Sequence, residues 1–302
     1  MKRLYIPFSL ILSVLFLLSA ECQQPETNPI IAPGAKLQKL SGDFSFTEGP
    51  AADKKGNVFF TDQPNDRIMV WTVDGKLETF LQPAQRANGL FFDKSGNLWA
   101  CAEDKNNLIR ISRDKKIEVV AEGFNGALFN GPNDVWVAPD GGVYFTDPFY
   151  RRNWWTHTER PQDKQCVYFI KPGTRTPVRI IDDLVQPNGI IGTPDGKTLF
   201  VADISGRKTW KYKINPDGSL SDKTLFCNMG SDGVTLDSKG NLYLTGGNGV
   251  TVFDPSGNQI LTIQVPEKWT ANVTFGGKDR KTLFITASTG LYSIRTNVKG
   301  AY

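Results

Sequence analysis

Histidine is nearly absent: the 302-residue chain holds one, His157. A poly-histidine metal centre is thereby excluded, and a Ser-His-Asp triad is left with a single candidate base. Cysteine is scarce as well, with four in all. Apart from Cys22, the cysteines Cys101, Cys166 and Cys227 lack the paired short spacing of a zinc site and are odd in number, so they read as small hydrophobes packed in strands. No run of Lys or Arg marks a nucleic-acid surface, and the formal charge of +4 is small for this length, which sets nucleic acid aside as a partner. Long apolar runs are confined to Leu4 to Leu18, behind Lys2 and Arg3 and ahead of Ser19-Ala20-Glu21-Cys22. Short for a membrane span and interrupted by Pro7 and Ser9, that run has the layout of a secretory signal peptide over residues 1–22.

Cys22 stands where the lipidated first residue of a bacterial lipoprotein would stand, but Glu21 occupies the place of the small residue such a signal expects. The expected location is therefore outside the cytoplasm, either periplasmic or lipid-anchored at the cell envelope, with membrane contact only through that anchor. Residues 23–35, polar and proline-bearing, read as a tether, and residues 36–302 as the folded domain.

What the chain has in quantity is a recurring stretch, plainest as Asn133-Asp134-Val135-Trp136-Val137-Ala138-Pro139-Asp140-Gly141-Gly142-Val143-Tyr144-Phe145-Thr146-Asp147. Each copy is a short apolar strand, a tight turn with Gly, and a second strand rich in aromatic and branched residues, the signature of a hairpin. In five copies a polar residue stands eight positions before the turn glycine: 48 and 56, 88 and 96, 133 and 141, 188 and 196, 232 and 240. A sixth copy runs from Asn272 to Thr286. The turn glycines are 40, 45, 55 and 44 residues apart, too far for one hairpin and right for a four-stranded blade. The expected fold is all-β, a six-bladed propeller of four-stranded antiparallel blades. The last copy is one strand short, and the strand-like run from Lys36 to Phe46 is the expected partner that closes the ring.

The common register has a geometric consequence. Side chains at the same place in each innermost strand point to one level of the central channel, so Glu48, Asn88, Asn133, Asn188, Asp232 and Asn272 should form a ring of oxygen-bearing groups. Glu48 and Asp232 with the amides of Asn133 and Asn188 make a hard-oxygen site of low charge, suited to one divalent cation. Two carboxylates buried together without one could not both stay ionised at low cost. The opposing reading is that Asn-Gly and Asp-Gly recur only as turn formers. Turn chemistry does not explain Glu48 in the same register, nor the prolines before Asn133 and Asn188. The Thr-Asp and Ala-Asp endings, with Asp62, Asp147 and Asp203, read instead as backbone fasteners between blades. Residues 148–166 form an insertion dense in aromatics and arginines, which reads either as a lid over the channel mouth or as packing on a blade edge.

The motifs Glu48-Gly49-Pro50, Gly131-Pro132-Asn133-Asp134, Phe145-Thr146-Asp147-Pro148, Pro187-Asn188-Gly189, Ser231-Asp232-Gly233-Val234 and Asn272-Val273-Thr274-Phe275-Gly276-Gly277 resemble the gluconolactonase, regucalcin (senescence marker protein) and luciferin-regenerating enzyme family, its bacterial gluconolactonase branch above all. The resemblance runs from about residue 43 to 296. It implies hydrolysis of sugar lactones, a divalent metal on the residues matching Glu48, Asn133, Asn188 and Asp232, and Asp232 as catalytic general base. Ca²⁺ is the expected cation, with Mg²⁺, Mn²⁺ or Zn²⁺ admitted. It also implies substrate contacts from Asn88 and Asn272, expected to donate hydrogen bonds to sugar hydroxyls or the ring oxygen. One departure stands out: where that branch usually carries a Cys-x-His segment followed by arginines, this chain has Cys101-Ala102-Glu103-Asp104-Lys105-Asn106-Asn107. The rival functions are hydrolysis of other esters or phosphotriesters in the same site, and a non-catalytic propeller that binds a glycan or protein around a structural metal.

Overall fold

The second strand of every hairpin is apolar on both faces, as Val58–Asp62, Leu98–Ala102, Val143–Asp147 and Leu242–Gly246 illustrate, because each blade has another blade against either face. The computed structural model describes residue 1 and residues 29–247 and 249–302. The segment expected to be a signal, beyond Met1 and including Cys22, lies outside them. Six four-stranded antiparallel sheets follow in chain order, each a meander. Their innermost strands are Thr47–Ala52, Ala87–Phe92, Val135–Val137, Pro187–Gly192, Val234–Leu236 and Thr270–Gly276. The sixth blade is completed by Gln38–Ser41, which pairs antiparallel with the C-terminal strand Gly290–Arg295, so the two ends of the sequence close the ring.

Closure begins earlier than the sequence suggests. Residues 30–35, expected to belong to a tether, pack where the fifth and sixth blades meet. Ile30 is buried among Tyr243, Val265 and Val298, its carbonyl accepts from the Asn297 amide at 2.7 Å, and the Ala32 amide donates to the Arg295 carbonyl. The apolar pair Ile30-Ile31 within a polar stretch is the physical reason.

The hairpin turns are locked by side chains. In those that begin at Asp53, Asp93, Asp237 and Asp254, one carboxylate oxygen accepts the backbone N–H of the Asn four residues on, and the other accepts that Asn's side-chain amide. The polar endings of the second strands fasten blade to blade. Thr61 Oγ1 donates to the Asn88 carbonyl and Thr245 Oγ1 to the Ala271 carbonyl, which holds the next blade's innermost strand in place. Asp62 accepts from the amides of Ser45 and Phe46, Asp147 from those of Asn130 and Gly131, and Asp203 from those of Val185 and Gln186, all on the linkers that enter each blade. Cys101, Cys166 and Cys227 are buried and unpaired thiols.

The insertion after the third blade's second strand contains no strand over residues 148–165. Side chains hold it instead. Asn130 Nδ2 donates to the carbonyls of Asp147 and Lys164, and Gln162 Nε2 donates to carbonyls of a small hairpin, Gly123–Phe124 with Ala127–Leu128, that the sequence pattern does not announce.

Candidate functional site

The six residues of the expected ring converge at one end of the channel, and each is buried. Glu48, Asn88, Asn133 and Asp232 line a cleft of about 390 Å³, together with Phe46, Gln63, Tyr150, Arg152, Gln186, Ile204, Ser205 and Trp269. Asn188 lies against it, donating through Nδ2 to Asp232 Oδ1 at 2.9 Å and to the Tyr150 hydroxyl at 2.9 Å. Asn272 donates to Glu48 Oε2 at 3.4 Å, while its own oxygen accepts the Val273 amide at 2.8 Å. It lines the cavity beneath the cleft and not the cleft itself, so the structure gives it the position of a support for Glu48.

Four of the six ring residues, Glu48, Asn88, Asn188 and Asp232, are followed by a glycine that packing requires. A Cβ on Gly233 would stand 2.1 Å from Asn272 Cγ, and one on Gly49 2.1 Å from the Asn88 carbonyl oxygen. The innermost strands approach so closely at this level that only glycine fits between them. In the third blade the corresponding position is Asp134, whose carboxylate accepts from the amides of Val135 and Ile190 and so ties the third blade to the fourth. Burial holds its pKa up at about 7.

Two carboxylates dominate the electrostatics. Burial, and then the nearby Asp232 charge, push Glu48 well above the usual carboxylate range. Burial raises Asp232 to about 6, opposed by the hydrogen bonds it accepts from Trp269 Nε1, at 2.5 Å, and from Asn188. Asn188 Oδ1 is buried with no hydrogen-bond partner among the described residues. Two carboxylates destabilised by burial, beside an unpartnered amide oxygen, fit a hard cation, which would satisfy all three. Among the described residues no three of His, Cys, Asp and Glu cluster, so a cation here depends on amide oxygens beside the two carboxylates.

The insertion both covers and packs. Tyr150 and Arg152 reach the cleft, whereas the indole nitrogens of Trp154 and Trp155 donate to the Glu103 carbonyl on the second blade. Glu103 is buried. Its carboxylate takes both Nε and Nη2 of Arg152, the latter at 2.7 Å, and also accepts Asn88 Nδ2 at 2.9 Å. Because a carboxylate only accepts, this bond fixes which way the Asn88 amide faces. One of the two amide hydrogens expected to serve substrate is therefore held by protein.

With this geometry in view, comparison with known proteins places the chain. Residues 46–289 match the family model described as the SMP-30/Gluconolactonase/LRE-like region. The chain belongs to this family. It is similar to the gluconolactonase of Zymomonas mobilis, 28% identical over 91% of this chain and 85% of that protein. The solved structure of a gluconolactonase from Xanthomonas campestris is 27% identical, with a TM-score of 0.82 over 89% of this chain and 91% of that one. A regucalcin from Agrobacterium tumefaciens, described as a calcium-binding protein, shares the fold with a TM-score of 0.71 at 19% identity, over 87% of this chain and 94% of that one.

Several cleft residues of this family member escape a repeat-based reading. Gln63, Tyr150, Arg152 and Trp269 stand outside the register, on the loops that leave second strands or enter innermost ones. Gln63 Nε2 is buried in the cleft wall with no partner among the described residues. Only the density of aromatics and arginines in 148–166 pointed toward any of them, and nothing distinguished Gln63 or Trp269.

Proposed function

We propose that the protein hydrolyses sugar lactones in this cleft, with Glu48, Asn133, Asn188 and Asp232 holding one divalent cation, Ca²⁺ for preference. The observation that carries this reading is the buried Glu48 and Asp232 pair beside the unpartnered Asn188 oxygen. Membership of the family and similarity to gluconolactonases over most of the chain support it. Bound there, the cation supplies a Lewis acid for the lactone carbonyl.

The chain's own residues do the rest. Trp269 and Asn188 hold the Asp232 carboxylate in one orientation at the cleft, where it takes a proton from water. Water adds to the carbonyl carbon as that proton moves to Asp232. When the ring C–O bond breaks, Asp232 passes the proton to the departing ring oxygen, giving the open-chain hydroxy acid. Gln63 Nε2 and Asn88 bond the sugar hydroxyls, and Phe46, Ile204 and Trp269 supply apolar walls that exclude bulk water.

The test is proton release from glucono-δ-lactone by chelated protein, by protein resupplied with Ca²⁺, Mg²⁺, Mn²⁺ or Zn²⁺, and by Asp232→Asn. The metal should restore turnover, and the variant should lose roughly 10²- to 10⁴-fold in kcat with its fold intact. No turnover above the spontaneous rate with any metal, in folded protein, would reject the lactonase reading in favour of a binding propeller.

A further inference from the structure

Arg152 is the one basic side chain among the described residues that line the cleft. A lone guanidinium in a half-closed site is an obvious receptor for a carboxylate, phosphate or sulfonate on a substrate. Here it is already engaged. Glu103, 1% exposed, takes two of its nitrogens in a fork, and the guanidinium is flanked by the rings of Tyr150 and Trp154 at 5.5 and 5.7 Å. Trp154 and Trp155 donate to the Glu103 carbonyl, so the same residue anchors the loop that carries Arg152. The remaining charged groups of the cleft lining, Glu48 and Asp232, are acidic.

We infer that Glu103 is a specificity-determining positioning residue: by neutralising and aligning Arg152 and fixing the Asn88 amide, it makes the cleft select lactones of neutral polyhydroxy acids and reject lactones bearing a further anionic group. The inference rests on the lactonase reading for its substrate, but the pairing it invokes can be tested without turnover. Arg152 keeps Nη1 for neutral hydroxyls, and Asn88, one amide hydrogen bound to Glu103, keeps its oxygen as an acceptor. An added phosphate would meet a guanidinium whose charge Glu103 already balances and would lie against the Glu103 carboxylate, while Glu48 and Asp232 are matched by the cation proposed between them. Juxtaposed like charges in a desolvated site discriminate strongly.

The experiment has two arms, on wild type, Glu103→Gln, Arg152→Gln and the double variant, each checked for fold by circular dichroism. In the first, inorganic phosphate is titrated while the melting temperature is followed. Glu103→Gln should gain phosphate-dependent stabilisation that wild type and the double variant lack. In the second, kcat/KM is compared for glucono-δ-lactone and its 6-phosphate. Wild type should favour the neutral lactone by about tenfold or more, and Glu103→Gln should shift that ratio toward the phosphate by a similar factor, mainly through KM. Should Glu103→Gln fail to fold, Arg152→Gln decides, since it leaves Glu103 as an unpaired anion and should push the ratio further from the phosphorylated substrate. Phosphate binding by wild type, an unchanged ratio in folded Glu103→Gln, or improved use of the phosphate by Arg152→Gln would each overturn the inference. If wild type opens neither lactone with any metal, the lactonase reading falls, and the phosphate titration alone still decides whether Glu103 masks Arg152.

Discussion

The two ends of the central channel are built from the same six strands and have opposite characters. At one end, Glu48, Asn133, Asn188 and Asp232 bring carboxylates and amides together in a buried cleft. A few residues further along the same strands, Leu90, Val135, Val137, Ile191, Leu236 and Phe275 line an 870 Å³ cavity into which Ala301 and Tyr302 fold. There Tyr302 accepts a hydrogen bond from Trp136 Nε1 at 3.0 Å and donates to the Gly192 carbonyl. At the lower end the Tyr302 hydroxyl is satisfied by protein, and Asp134 on the same lining is held by two backbone amides, whereas Arg280 Nη1 has no partner among the described residues. The upper end keeps an unpartnered oxygen on Asn188 and two carboxylates with raised pKa values, which destabilise the fold unless something binds. The contrast separates residues kept for stability from residues kept for chemistry.

The segment from Asp232 to Leu236 crosses between the two regimes and gives the sharpest test. Its upper residue should show the largest effect, the loss of turnover described for Asp232→Asn. Its lower one should show the reverse. Leu236→Ala empties a site that is 1% exposed and should lower unfolding free energy by about 2–5 kcal/mol in urea titrations, while the folded protein keeps its kcat/KM. Equal loss of activity in both variants would erase the distinction between the ends.

A subtler contrast lies in pH and metal. In chelated protein Asp232 has a folded pKa of about 6 against an ordinary 3.8, so the native state binds more protons than the unfolded one. Stability from this group is complete below pH 4 and declines as pH rises through 6, and Asp232→Asn should flatten that decline. Added Ca²⁺ should reverse it, because the cation binds the ionised carboxylates, and its stabilisation should grow with pH over the same window. Thermal melts between pH 4 and 8, with and without metal, check both signs. The smallest effect belongs to Tyr302→Phe. Losing its hydroxyl at the lower end should cost about 1 kcal/mol and leave lactone hydrolysis unaltered.

Much of this was legible before any coordinates. The period, the turn glycines and the common register of Glu48, Asn88, Asn133, Asn188, Asp232 and Asn272 are properties of the string, because a blade repeats its inward-facing position at a fixed distance from its turn. Ring closure was legible too, since the sixth copy lacks a strand that Gln38–Ser41 supplies. The packing of Ile30 is not legible in the string, because two isoleucines in a polar segment carry no periodicity and the burial of Ile30 depends on a surface made by residues more than two hundred positions away. The same limit hid Gln63, Tyr150 and Trp269, which lie on loops without a repeat to align them.

The amino-acid sequence by itself determined the architecture and the oxygen-rich level of the channel, because local turn chemistry and strand alternation act over a few residues and recur six times. Tertiary structure alone decided the partnerships. Asn272 was turned to support Glu48, and Trp269 was brought from the fifth-to-sixth blade linker onto Asp232. Glu103 on the second blade met Arg152 from the third, across 49 residues. Such contacts depend on where separate loops end in space, and no local pattern encodes that.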